Sequence, residues 1–206
     1  MSDVTWAIYQ ERFDSGVDVS LTAPLNPAIR YLRVEATGTR PALLALGYID
    51  PHPQGDIEVW YSGSKEVIKI QNGRIVGTAG LRFDWRNVQF ASAPPAWEVV
   101  SQSPQRLVRV RDEMPGYRYG ISEQLTVEAV AGTPVIELPS TLPVALASHY
   151  TWYRESASSL GAGALPASWY AVGRFYGKQA VVYSFQCLEP HWCLRIQSWP
   201  PEKDLS

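Results

Sequence analysis

The residues able to do chemistry are few in type and scattered along the chain. Three histidines occur, His52, His149 and His191. A nucleophilic triad needs a Ser or Cys held beside a His held beside a carboxylate. No Gly-x-Ser-x-Gly elbow is present, and no histidine has such a setting. His52 lies between Pro51 and Pro53 and reads as a solvated loop residue, while His149 opens a run that suits a sheet face. No catalytic residue is assigned. Glycosidases need two carboxylates about 5 to 10 Å apart across a sugar cleft. Asp56, Glu58, Asp84, Glu98, Glu123, Glu128 and Glu155 are available, but one sequence does not pair them. Asp84 is the sharpest candidate, because Phe83-Asp84-Trp85-Arg86 sets a carboxylate beside an indole and a guanidinium. The plainer reading is a surface ion pair with Arg82 or Arg86, which contributes little stability.

Sugar binding is the second chemistry. Pyranose rings lay C–H patches on flat aromatics while polar groups bind their hydroxyls, so a site needs an apolar platform and a few placed polar atoms. The chain has eight Trp and eleven Tyr against five Phe, a bias toward aromatics with a polar handle. The candidate binding residues are Trp85, Arg86, Asp84, Trp97, Trp60 and Trp152. Trp85 and Trp97 flank a proline-rich segment, where loop exposure is expected. Tryptophan in a β protein is usually core, so only a minority of the eight should be open. An exposed aromatic patch would equally suit a protein partner.

Cys187 and Cys193 are separated by five residues between strand-like flanks. A disulfide closing a hairpin fits their proximity; two buried thiols are the other reading. With His191 they fall short of a four-ligand zinc set, so no metal site is expected, and no cofactor signature is present.

These residues must be positioned by sheets. Asn72-Gly73 between Glu66–Gln71 and Arg74–Thr78 is a strong hairpin signal, because a type I′ turn needs positive φ at both central positions. Further strand-like runs cover Ala28–Glu35, Leu43–Asp50, Ile57–Ser62, Arg106–Asp112, Tyr117–Ala129, Ala145–Ser156, Trp169–Phe175, Val181–Cys187 and Leu194–Trp199. Val127–Glu137 turns at Gly132, and Ser156–Pro166 reads as a mobile loop. Turn signals every ten or so residues are the spacing of sandwiches and barrels. Trp6, Tyr9 and Phe13 predict a short N-terminal helix over Thr5–Phe13. The segment after Leu81 is irregular, and Pro94-Pro95 forbids a central strand. The chain is expected to be one all-β, antiparallel sandwich or barrel-like domain over residues 1–206, with two packed halves meeting near residues 93 and 94.

At 206 residues the chain can bury one sizeable core. The net charge of −2 offers no positive field for phosphates and excludes nucleic acid as the main partner. No run approaches the roughly 20 apolar residues of a spanning helix. No signal peptide is legible at Met1–Trp6, which leaves a cytoplasmic chain or one whose leader has been removed.

One block carries a resemblance. Leu43-Leu44-Ala45-Leu46, Ile57–Ser62, Lys69–Val76 and Thr78–Leu81 resemble the YjbF/GfcB family of periplasmic lipoproteins linked to exopolysaccharide and group 4 capsule secretion. Asn72-Gly73-Arg74, followed by a strand and Gly80-Leu81, is the nearest match; Trp169–Gly177 through Trp199–Pro201 is similar more loosely. The resemblance implies a non-enzymatic periplasmic accessory protein of polysaccharide export, binding polysaccharide or a secretion-machinery protein. It also implies outer-membrane anchoring through a lipid, although the lipobox cysteine is absent here. The family carries no catalytic residues to transfer. A polysaccharide hydrolase or lyase using acidic residues near Asp84 stays open, as does a structural assembly protein forming a homodimer.

Overall fold

A computed structural model describes residues 24–159, 165–175 and 177–201. Twelve strands form one antiparallel sheet that rolls into a nearly closed barrel. They are β1 (Tyr31–Ala36), β2 (Ala42–Asp50), β3 (Ile57–Ser62), β4 (Val67–Gln71), β5 (Arg74–Ala79), β6 (Asp84–Phe90), β7 (Gln105–Met114), β8 (Arg118–Val130), β9 (Thr151–Ser159), β10 (Ser168–Phe175), β11 (Lys178–Glu189) and β12 (Trp192–Trp199). Two short helices interrupt them, α1 (Trp97–Gln102) and α2 (Val144–Ala147). The order across the sheet is β5-β4-β3-β2-β1-β12-β11-β10-β9-β8-β7-β6. The first and last of these strands in sequence therefore pair in mid-sheet, with Tyr31 opposite Trp199 and Ala36 opposite Leu194. The sheet runs unbroken through strands from both sides of residue 93.

Asn72 (φ 47°) and Gly73 (φ 81°) close the β4–β5 hairpin in the conformation that their types favour. The hairpin then does something unexpected of an edge. β5 is bonded to β4 alone, yet Arg74 to Thr78 are all buried. The backbone N–H of Ile75 donates to Gln186 Oε1 at 3.0 Å, and Gln186 Nε2 donates to the Gly73 carbonyl at 2.9 Å. The sheet has rolled so far that its first edge lies inside the barrel, against β11. A Cβ on Gly73 would stand 2.3 Å from Val181 Cγ2. An inward edge is also protected from pairing with another chain.

The irregularity expected after Leu81 is replaced by β6. A bulge hides it from the eye: Asn87 has φ 49° and the β6–β7 register shifts between Arg86 and Gln89. The turn into β6 is held by Asp84, whose carboxylate accepts from Thr78 Oγ1 (2.8 Å), Gly80 N (3.0 Å) and Leu81 N (3.2 Å). Pro94-Pro95 leads into α1, whose Trp97 and Val100 plug one core with Leu107, Leu125, Tyr153 and Tyr170. Two other expected stretches differ. No strand forms between β8 and α2, where the run after Gly132 is expected to pair, and Ala145 belongs to α2, with β9 starting at Thr151. The expected N-terminal helix over Thr5–Phe13 lies outside the described residues, as do residues 160–164 of the expected loop. Cys187 and Cys193 are direct partners on β11 and β12 and form a disulfide.

Candidate functional site

Period-two alternation decides which side chains face the barrel interior. On β7 it does so against hydrophobicity: Val108 and Val110 are exposed, while Leu107, Arg109, Arg111 and Glu113 are buried. Opposite them β8 turns Glu123, Leu125 and Val127 inward. The result is an internal ladder of alternating charge. Arg74 Nε donates to Glu155 Oε2 at 2.7 Å, and Arg109 pairs with Glu123 at 2.7 Å and reaches Glu155 at 3.8 Å. Arg111 donates to Glu123 Oε1 at 2.9 Å and also pairs with Glu113, which Arg118 pairs with from the exposed side.

Burial works to raise the Glu123 carboxyl, but the hydrogen bond from Arg111 and the charges of Arg109 and Arg111 outweigh it and hold it below the usual carboxylate range. Burial likewise works to lower Arg111, and Glu123 and Glu113 outweigh it. The Tyr170 hydroxyl, beside Glu155 and Gln186, is pushed up by burial and then by the Glu155 charge. These groups are sealed from solvent and ion-paired, while Arg74 Nη1 and Nη2 find no acceptor among the described residues.

The sequence-predicted residues fall mainly in this sealed interior. Trp85 is 2% exposed: its Nε1 donates to the Leu188 carbonyl at 3.0 Å, and Arg109 and Arg111 lie over its ring at 4.6 and 4.4 Å. Trp97 is 4% exposed, under Arg74 at 4.4 Å and tilted against Tyr153 and Tyr170. The loop exposure expected for this pair is corrected, because β6 and α1 turn both rings into the core. Trp152 is buried too, with Nε1 donating to the Ala147 carbonyl at 2.8 Å. Asp84 is buried in its turn rather than paired with Arg82 or Arg86 at the surface, and Arg86 is exposed on β6. His52, His149 and His191 are all exposed. Among the described residues no three of His, Cys, Asp and Glu gather as metal ligands.

Of the candidates, Trp60 lines a cavity. It sits with Glu58 on one face of β3, at one end of the barrel interior, in a hollow of about 250 Å³. Across from β3, β11 and β12 contribute Ser184 and Ser198, the β4–β5 turn contributes Asn72, and Gln179 and Asp56 stand on the rim. Arg30 Nη2 donates to Glu58 Oε1 at 2.6 Å and lies over the Trp60 ring at 5.4 Å. Trp60 is 1% exposed, and its Nε1 has no acceptor among the described residues. A buried donor left so costs about 1–3 kcal/mol, and this one is closed off from the hollow as well as from solvent. Apolar wall comes from Leu32, Ile70 and Ile196. An indole and aliphatic floor with hydroxyl, amide and paired charged groups around it can hold a polyhydroxylated ligand. Arg30, Asn72, Gln179, Ser184 and Ser198 were missed from sequence, since each is an ordinary polar residue until the roll of the sheet gathers them. Arg109 and Arg111 carried a usable signal, being two residues apart within one strand.

A comparison with curated proteins finds no match. Among solved structures, the crystal structure of the hypothetical lipoprotein YmcC from Escherichia coli K12 superposes with a TM-score of 0.68 over 99% of this chain and 98% of that one. The two are 16% identical, so this likeness speaks for the fold alone. The family model described as group 4 capsule polysaccharide lipoprotein GfcB, YjbF matches residues 23–145, from before β1 into α2 and well over half of the chain. The chain thus belongs to the YjbF family of group 4 capsule polysaccharide lipoproteins.

Proposed function

We propose that this protein is a non-enzymatic accessory protein of capsule or exopolysaccharide export, working in the periplasm, and that it holds a short stretch of polysaccharide at the barrel mouth. The observation that carries this is the hollow itself, where the wall beside Trp60 carries Asn72, Gln179, Ser184, Ser198 and the Arg30–Glu58 pair. Its volume of about 250 Å³ lies just under the range of drug-sized pockets, which suits one or two sugar units rather than a whole repeat. Membership of a capsule polysaccharide family supports the choice of ligand. The carboxylates at the hollow are Asp56 and Glu58, and Glu58 is held by Arg30. A hydrolase needs two carboxylates with separate roles, and Asp84, the acid expected for one, is taken up by its turn.

Calorimetry of the full chain against oligosaccharides cut from group 4 capsule tests this. Saturable one-to-one binding with no new reducing ends is expected, and Gln179→Trp, at an exposed rim position, should abolish it. Release of reducing ends would overturn the non-enzymatic reading.

A second reading, docking of a secretion-machinery protein, is favoured by the β7–β8 hairpin. Tyr117 and Tyr119 are 72% and 64% exposed there, with Arg118 between them, and Tyr and Arg are enriched in interface cores. Photocrosslinking from position 119 in the cell envelope, yielding one discrete adduct, would support it; no adduct would count against it.

A further inference from the structure

We propose that the barrel-mouth hollow selects uncharged sugar units and rejects anionic ones such as uronates. This rests on reading the hollow as a saccharide site, and it names the ligand class. Three observations carry it.

The first is the charge lining the hollow. Asp56 and Glu58 are anionic and Arg30 is the one cationic lining residue, so the wall is net negative. The second is that this cation is already engaged, its Nη2 donating to Glu58 Oε1 at 2.6 Å. A carboxylate arriving in the hollow would have to break that pair or be desolvated without a counter-charge, and a buried charge without a partner is strongly disfavoured. The third is the character of the remaining polar wall. Asn72, Gln179, Ser184 and Ser198 offer amide and hydroxyl groups, which donate to and accept from sugar hydroxyls equally well. Trp60 Nε1 is closed off from the hollow and gives no reason to admit charge. A neutral unit meets the amides and hydroxyls of the wall, whereas an anionic one also meets an excess of one negative charge.

The internal Arg–Glu ladder does not alter this sign. Its buried arginines Arg74, Arg109 and Arg111 pair with Glu155, Glu123 and Glu113, and none lines the hollow.

The test is an array of length-matched neutral and uronate-bearing oligosaccharides probed with the full chain, followed by titration of the retained glycans at low salt. The expected result is retention of neutral glycans, binding removed by Gln179→Trp, and uronate-bearing glycans at least about tenfold weaker, the scale of like-charge repulsion in a partly buried site. Asp56→Asn and Glu58→Gln, with unfolding midpoints measured alongside, should raise uronate binding relative to neutral binding and so narrow that gap. Equal or tighter binding of uronate-bearing glycans, blocked by Gln179→Trp, would overturn the selectivity and leave the saccharide site standing. Retention of no glycan, or binding insensitive to Gln179→Trp, would overturn both.

Discussion

Trp60 and Trp85 are near twins by surroundings and opposites by role. Both are almost fully buried, at 1% and 2% exposure, and both have arginine over the ring. Trp85 has its N–H accepted by the Leu188 carbonyl, and its two arginines are closed off by Glu123 and Glu113. Among the described residues Trp60 has no acceptor for its N–H, and its arginine sits at the mouth with a side chain 38% exposed. The difference shows that an indole beside guanidinium and carboxylate is no signature of ligand binding. What separates the two clusters is whether the guanidinium over the indole is closed in by glutamates or stands at the edge of an open hollow.

Removing Glu123 should break the sealed region most severely. Glu123→Ala strands Arg109 and Arg111 in the interior, and losing one partner of a buried charge cluster costs about 3–5 kcal/mol. Urea unfolding should show that loss, with Glu123→Gln milder.

Gly73 joins the two regions, with the hollow on one side and Arg74 on the other. Gly73→Ala meets both positive φ and Val181 and should cost about 2–3 kcal/mol, part of it regained in the double variant with Val181→Ala. A full recovery would show that space alone, not backbone conformation, demands glycine.

Asp84→Ala frees three donors at the β5–β6 turn and should cost about 1–3 kcal/mol without changing sugar binding, as read by unfolding midpoint and calorimetry together.

Acid should separate the regions too. Glu123 is held below its ordinary range in the fold, so its contribution is present above the unfolded Glu value of about pH 4.3 and is lost as pH falls through the lower folded value. The wild type should lose stability on acidification below about pH 4, and Glu123→Gln should lose less over that window.

The smallest stability effect belongs to the mouth. Arg30→Met removes a half-exposed pair worth about 1 kcal/mol or less, yet it should weaken glycan binding severalfold. No change in binding would remove Arg30 from the site.

The local steps of this fold were legible because they depend on neighbouring residues. Asn72-Gly73 announces its turn by φ preference, and β3 lies at Ile57–Ser62 as the pattern predicts. Where the hairpin goes was not legible. Its contact with Val181 joins residues about a hundred positions apart, and the link between Arg74 and Glu155 joins residues 81 apart. β6 escaped notice because the Asn87 bulge breaks its alternation. The tryptophans misled because a barrel interior accepts Arg and Trp together, so Trp85 beside Arg86 looks the same from sequence whether it faces solvent or core. The mouth residues gave no sign, being gathered only by the roll of the sheet.

The pairing of β1 with β12 has a consequence for how the chain is made. A polypeptide emerging amino end first lays down β1 to β5 as a half-finished sheet. Leu32, Val34 and Leu44 then wait for Leu194 and Ile196, which share their core. Such distant pairing makes for slow folding and leaves apolar surface open in the meantime. Loss of β12 should therefore open the barrel at its middle rather than trim its end, and vectorial synthesis can finish this protein only when its last strand arrives.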